Sequence, residues 1–241
     1  MLAPQAPSYI VKKVIQESRE VRSFAFDCRA QPLIFDPGQF VVVKHEEFEE
    51  ITGSLFFSTE PGRQEDLRLT ARRDGGFEGA FYEKVTPGDI IYMSKPMGQF
   101  RLSQAGNRPV CFVGRNDSIV SARSLFFHLQ SEAPARAGML IHELTTPHQP
   151  LFEAGWTRMK GTPFRYTKIL DQSPRPTGWF GHLGPLSPQI LKVILPDYVQ
   201  YHYFVAGNPE AGSRLALVLK DGGVAPSQIT LESPVSGILP A

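Results

Sequence analysis

The chain has 241 residues, 41% of them apolar and 20% charged, with a net charge of +1. This length and apolar content suit one large domain or two small ones. The near-neutral balance offers no general electrostatic grip on nucleic acid or an anionic membrane.

No apolar run approaches the ~18–20 residues that a membrane span needs, and MLAPQAPSYIVKK carries no visible secretory signal. Cys28 and Cys111 form no metal-ligand or CxxC spacing. Both read as small core residues, and a reducing cytoplasm fits. The first half then reads as strands. Tyr9–Ile15, Val21–Asp27 and Phe40–Lys44 are short, β-branched or aromatic, and partly alternating. Pro37-Gly38 turns the chain into the third of these. Leu67–Arg72 sets Leu67, Leu69 and Ala71 against Arg68, Thr70 and Arg72, the alternation of a half-buried strand. After the turn Pro87-Gly88-Asp89 comes another strand, Ile90–Ser94. Short strands divided by turns at this rhythm predict a small antiparallel barrel.

The pattern changes at SQAGNRP, a polar, turn-rich stretch over Ser103–Pro109. Val110–Val113 is a continuous apolar run, as in a strand buried on both faces of a parallel sheet. Asp117 is the expected N-cap of a helix over Ser118–Glu132, with Ile119, Ala122, Leu125, Phe126 and Leu129 at helical spacing. Gly138–His142 is the next strand. A helix ends at Leu195, with Ser187 as its N-cap and Pro188 at its first position. Tyr201–Ala206 is a strand, Glu210–Asp221 a helix stopped by Gly222-Gly223, and Gln228–Leu231 a last strand. This alternation predicts a parallel, doubly wound sheet.

Four landmarks stand in fixed order: FDPGQFVVV (Phe35–Val43), GSLFFSTEP (Gly53–Pro61), LRLTARRDGGFEGAFYEKVTPGDII (Leu67–Ile91) and KPMGQFRL (Lys95–Leu102). The strand RPVCFV follows and runs into a helix-like stretch. In this order and spacing the chain resembles the ferredoxin–NADP reductase superfamily. The resemblance implies a six-stranded antiparallel flavin-binding barrel over residues 1–104. It implies a doubly wound NAD(P)-binding-like α/β domain over residues 105–241.

The family's Arg-x-Tyr-Ser motif falls on Leu55, Phe56, Phe57 and Ser58. By that match Phe57 would stack on the flavin ring and Ser58 would be the catalytic hydroxyl near its N5 edge. Leu55 cannot pair with the FAD pyrophosphate, so an arginine at 55 is expected to raise FAD affinity. Cofactor contacts are also implied for Phe56 and Thr59, and for Thr70, Ala71 and Arg72 in the following strand. The family's Gly-rich diphosphate turn matches Gly75, Gly76, Phe77, Gly79 and Ala80. Its hydroxyl is missing, and Glu78 would repel phosphate if it pointed inward.

In the second half the family's glycine loop is replaced by Arg115-Asn116-Asp117-Ser118-Ile119-Val120-Ser121, with only Gly114 beside it. Gly114 and Asn116 are the expected contacts there. Glu143 and Thr145 stand where relatives place 2′-phosphate ligands, so NADH is expected over NADPH. The family's Cys-Gly-x-Pro reads Ala206-Gly207-Asn208-Pro209, and Gly207, Asn208 and Pro209 would border the nicotinamide. The chain ends SGILPA, without an aromatic lid for the flavin.

The six histidines, among them His148, show no HxH or HExxH spacing, so no metal site is expected. EEFEE (Glu46–Glu50) reads as a solvated loop, and Trp156 and Trp179 as packing anchors. Two functions compete. One is a flavin oxidoreductase that passes electrons between NAD(P)H, FAD and a redox protein partner or larger complex. The other is a degenerate subunit, flavin-only or non-catalytic, that serves as a docking or electron-relay module.

Overall fold

The structure is a computed structural model that describes residues 6–59, 62–73, 75–132, 135–147, 150–158, 163–172 and 174–232. Residues 1–5, Glu60, Pro61, Asp74, His148 and the SGILPA terminus named above lie outside the described residues. The chain divides into two units. The first runs to Arg101 and includes the segment Arg123–His128; the second holds Leu102–Ala122 and Leu129–Glu232.

The first unit is a closed barrel of six antiparallel strands. They are β1 (Ser8–Ser18), β2 (Val21–Phe26), β3 (Phe40–His45), β4 (Thr52–Phe57), β5 (Leu67–Arg72) and β6 (Ile90–Met93), in the order β1-β2-β5-β4-β3-β6. The alternation read at Leu67–Arg72 is observed: Leu67, Leu69 and Ala71 are fully buried in the barrel core. Val41, Val43, Phe24, Phe26 and Ile91 fill the same core from neighbouring strands. Helix α1 (Gly76–Lys84) closes one end, and its Phe81 sits edge-on to Phe24 with ring centroids 4.7 Å apart. Gly38 in the Pro37-Gly38 turn has φ +88°, and a Cβ there would lie 2.2 Å from the Phe100 carbonyl oxygen. Only glycine fits that approach.

The second unit is a six-stranded, wholly parallel sheet in the doubly wound arrangement. Its strands are β7 (Val110–Arg115), β8 (Gly138–Leu144), β9 (Phe164–Leu170), β10 (His182–Leu183), β11 (His202–Ala206) and β12 (Ile229–Leu231), in the order β10-β9-β8-β7-β11-β12. Its helices are α3 (Glu153–Arg158), α4 (Pro188–Ile194) and α5 (Pro209–Asp221), together with both ends of α2 (Val120–Glu132), whose segment Arg123–His128 belongs to the first unit. Leu191 of α4, Leu195 at its C-cap, and Leu215 and Leu219 of α5 cluster with Cys111, Val113, Met139, Ile141, Tyr203 and Val205 on one face of the sheet. Ser187 caps α4 as expected, accepting from Ile190 N–H, with Pro188 next.

Strands β9 and β10 and helix α3 were not anticipated from the sequence. The entry to α2 also differs from expectation. A 3-10 turn over Asn116–Ile119 precedes it, so Asp117 lies inside that turn rather than at the cap. Instead the Ser118 hydroxyl accepts from Arg115 N–H at 2.9 Å. Both cysteines are buried and free. Burial pushes the Cys28 thiol up to about 12, which keeps it protonated and unreactive. Trp156 and Trp179 are buried. Among the described residues no helix is long and apolar enough to cross a membrane.

Candidate functional site

The period of β4 decides which of its side chains can meet a ligand. Successive residues of a strand point to opposite faces, and Leu55 and Phe57 point into the barrel. They are 1% and 0% exposed and belong to its core. Phe57 is also stacked face to face on Phe35, with centroids 3.9 Å apart and planes 14° apart. The expectation that Phe57 stacks on a flavin is therefore corrected: its ring face is already covered by the protein. Leu55 is corrected with it, because an arginine at 55 would enter the core rather than reach a phosphate. The outward positions are Ser54 and Phe56. Phe56 is half-buried and meets Phe40 of the adjacent β3 edge-to-face at 5.7 Å.

Ser58 is corrected as well. It is fully buried, and its Oγ ends a chain of hydroxyls that begins at Ser23 Oγ and passes through Thr70 Oγ1. The steps are 2.8 and 2.7 Å, Thr70 donates to Ser58, and Ser58 in turn faces the Arg68 carbonyl at 3.5 Å. Thr59 is buried too, its hydroxyl accepting from Arg68 N–H at 3.3 Å. These groups knit β2, β4 and β5 together. Ala71 lies in the core, and Ala80 is partly buried against it. Phe77, expected at a cofactor, packs inward over Gly53, where a Cβ would lie 2.2 Å from its ring.

The glycine turn before α1 is different. Gly75 and Gly76 have φ of +81° and +56°. Among the described residues, chain neighbours and the helix's own backbone apart, no atom lies within 4 Å of where a Cβ would stand at Gly75, Gly76 or Gly79. The first turn of a helix presents N–H groups with no intrahelical partner, so this is a cradle whose own side chains leave it open. Glu78, at the third helical position, does not point into free space. Its carboxylate accepts from Arg72 Nη2 at 2.7 Å, from Arg72 Nε at 3.0 Å and from the Arg72 backbone N–H at 3.0 Å. Arg72 is thus held by a carboxylate of the first turn of α1.

At the C-terminal edge of the parallel sheet, the turn after β7 is closed. Asn116 adopts φ +50°, a left-handed conformation that Asn tolerates better than most residues. Its side-chain oxygen accepts from Thr145 N–H at 2.9 Å and from Thr145 Oγ1 at 3.1 Å. Its carbonyl accepts from His142 Nε2 at 2.7 Å, which leaves His142 Nδ1 to face the Tyr166 hydroxyl at 3.3 Å. Asn116, an expected contact, and Thr145, at a position where relatives hold a 2′-phosphate, are thereby committed to one another. Gly114 is explained by packing, since a Cβ there would lie 2.6 Å from Ile119 Cγ2.

Glu143, at the position where relatives hold a 2′-phosphate, is fully buried. One carboxylate oxygen accepts from Leu186 N–H at 2.9 Å; the other accepts from Arg115 Nη1 at 2.8 Å and from Arg214 Nη2. A second nitrogen of Arg115 reaches Asp171 at 2.9 Å. This four-member charge cluster was not anticipated. Beyond β11, Asn208 caps α5 by accepting from Ala211 N–H at 2.8 Å, and Pro209 takes the first helical position. A Cβ at Gly207 would come within 3.2 Å of Ala211 Cβ. Helix entry accounts for all three residues. Among the described residues no group of three or more His, Cys, Asp or Glu could hold a metal.

Burial holds His142 and His202 down to about 4, from an ordinary value of 6.5. Both imidazoles are therefore neutral in the fold, whereas the unfolded chain takes up protons below about 6.5. Stability is full above that value and falls as pH drops through the window from about 6.5 to 4, by up to a few kcal/mol in all. Urea denaturation of the α/β unit at pH 7 and pH 4.5 should show this loss, and His142→Asn should flatten it. An unchanged midpoint would count against neutral burial.

No family model matches the chain. It is 26% identical over 224 residues to the glycine betaine monooxygenase reductase subunit of Chromohalobacter salexigens, covering 88% of this chain and 59% of that protein. It is 24% identical over 236 residues to the flavohemoprotein of Bacillus subtilis, covering 93% of this chain and 58% of that protein. It thus spans about three fifths of the length of these curated relatives. Among solved structures, a ferredoxin NADP+ reductase from Neisseria gonorrhoeae with bound FAD and NADP superposes with a TM-score of 0.78 at 20% identity. That match covers 95% of this chain and 99% of the other. The closed six-stranded barrel and the parallel doubly wound sheet are thus the fold of ferredoxin NADP+ reductase-like structures, and sequence similarity to the reductase subunit and the flavohemoprotein runs along most of the chain.

Proposed function

We propose that the chain is a reductase-type flavin oxidoreductase that holds FAD on its barrel and passes electrons from NAD(P)H to a protein acceptor. The observation that carries this reading is the open cradle over Gly75, Gly76 and Gly79 at the start of α1, with Arg72 beside it. It lies in a chain aligned along most of its length with a reductase subunit and a flavohemoprotein. FAD, when bound, supplies the step between two-electron and one-electron transfer. The chain's own part is to bind and orient. Backbone N–H groups at 76–80 and Arg72 hold the diphosphate, and outward-facing Phe56 covers a ring face. A cytoplasmic setting and a redox protein partner belong to the same reading. NADH is favoured over NADPH, because Arg115 and Arg214, the cations at the sheet edge, are already committed to Glu143.

A second reading has its own support. The closed Asn116–Thr145 turn puts side chains where a dinucleotide pyrophosphate needs bare backbone. On this reading the chain keeps FAD and relays electrons between protein partners without taking them from a nicotinamide. Titrating the purified full chain with FAD under visible absorbance, then adding NADH without oxygen, separates the two. Flavin absorbance that NADH bleaches supports the oxidoreductase. Flavin absorbance that persists supports the relay. A chain that takes up no FAD overturns both.

A further inference from the structure

We propose that the N-terminal edge of the parallel sheet carries a binding site for a tetrahedral oxyanion of the phosphate or sulfate type, formed by Arg108, Arg136 and His202. It stands independently of the flavin function, at the opposite end of the strands from Arg115, Glu143 and Asn116. Strand register brings the three residues together. Val110 pairs with Gly138 on one side and with His202 on the other. Arg108 and Arg136 each stand two residues ahead of those strand starts, and His202 opens β11. Arg136 Nε donates to the Arg108 carbonyl at 2.7 Å, and His202 N–H donates to the Pro109 carbonyl at 2.9 Å. Two guanidiniums at one edge need a counter-charge. Among the described residues neither pairs with a carboxylate. Arg136 Nη2 is buried with no acceptor, a costly state for a charged donor. His202 is 3% exposed, with Nε2 at 2.9 Å from Thr230 Oγ1 of β12 and its ring beside Phe204 of its own strand. Burial first, and then the charges of Arg108 and Arg136, hold this imidazole neutral. An oxyanion supplies what the group lacks. The guanidinium fork matches the oxygens of phosphate and sulfate. Two negative charges balance two arginines, which one carboxylate does not, and they favour a proton on His202.

Sulfate is the probe, because it stays doubly charged throughout the range in which His202 titrates. The His202 C2–H resonance, assigned by its loss in His202→Asn, is followed against pH in the full chain, in sodium sulfate and in sodium chloride of equal ionic strength. Sulfate should raise the proton affinity of His202 about tenfold over chloride, and saturably. Arg108→Gln should weaken sulfate about tenfold, the range of one charge-assisted hydrogen bond. Arg108 is exposed and gives Arg136 only its backbone carbonyl, so this variant keeps the fold. A second measurement needs no assignment. Sulfate steadies folded proteins in general, so the quantity is a difference: at low pH, sulfate should raise the urea midpoint of the wild type more than that of Arg108→Gln. A His202 response equal in the two salts is screening of the arginines and overturns the site. So does a sulfate effect that never saturates, or one that Arg108→Gln leaves intact in both measurements.

Discussion

Truncating Phe57 to alanine should lower the stability of the barrel by about 3–5 kcal/mol, whereas truncating Phe56 should cost far less stability and weaken flavin binding. The two residues are neighbours in sequence and opposite in role. Phe57 is fully buried among Leu55, Leu67, Leu69 and Phe81, and its ring face rests on Phe35. Its removal leaves a cavity that strands held by hydrogen bonds cannot close. Phe56 faces the other way and touches Phe40 only edge-to-face. Urea denaturation and FAD titration on both variants give the comparison. If Phe57→Ala spared the fold and Phe56→Ala unfolded it, the register of β4 would be inverted and the flavin platform would return to Phe57.

That register was the least legible part of the sequence, and the reason is physical. Leu67–Arg72 announces its two faces because apolar and polar residues alternate. Leu55-Phe56-Phe57 places three apolar residues in a row, so period-two alternation gives no sign of which face is which, and a one-residue shift exchanges inside for outside. A family motif laid over that stretch then settles on the buried residue. The barrel and the parallel sheet were readable because many short signals agreed: paired turns, an apolar run at Val110–Val113, and caps at Ser187 and Gly222. Strand β9 was missed because only its last two residues, Ile169 and Leu170, are buried, so most of its length lacks an apolar face. Asn116 looked like a tolerated substitute for glycine. Its left-handed backbone was foreseeable, but its side-chain hold on Thr145, 29 residues away, was not.

Glu143 was misread for a related reason. Carboxylates are almost never fully buried unless paired, and its partners lie 28 and 71 residues along the chain, at Arg115 and Arg214. The structure makes its replacement a strong test. Glu143→Ala removes the acceptor of Leu186 N–H and leaves two guanidiniums crowded together at the sheet edge. Breaking a buried ion pair from one side costs about 3–5 kcal/mol. Arg115 and Arg214 keep 24% and 35% of their side chains exposed, and solvent relieves part of that cost, so the lower end of the range is expected. Replacing Glu143, Arg115 and Arg214 together with leucine and methionines should recover much of the loss, because the penalty comes from stranded charge rather than from missing attraction. Chemical denaturation of the single and triple variants measures both quantities. A Glu143→Ala protein as stable as the wild type, with only its choice between NADH and NADPH altered, would mean that this carboxylate faces a ligand after all. The sheet edge would then be open to a dinucleotide, and the relay reading would rest on the closed Asn116–Thr145 turn alone.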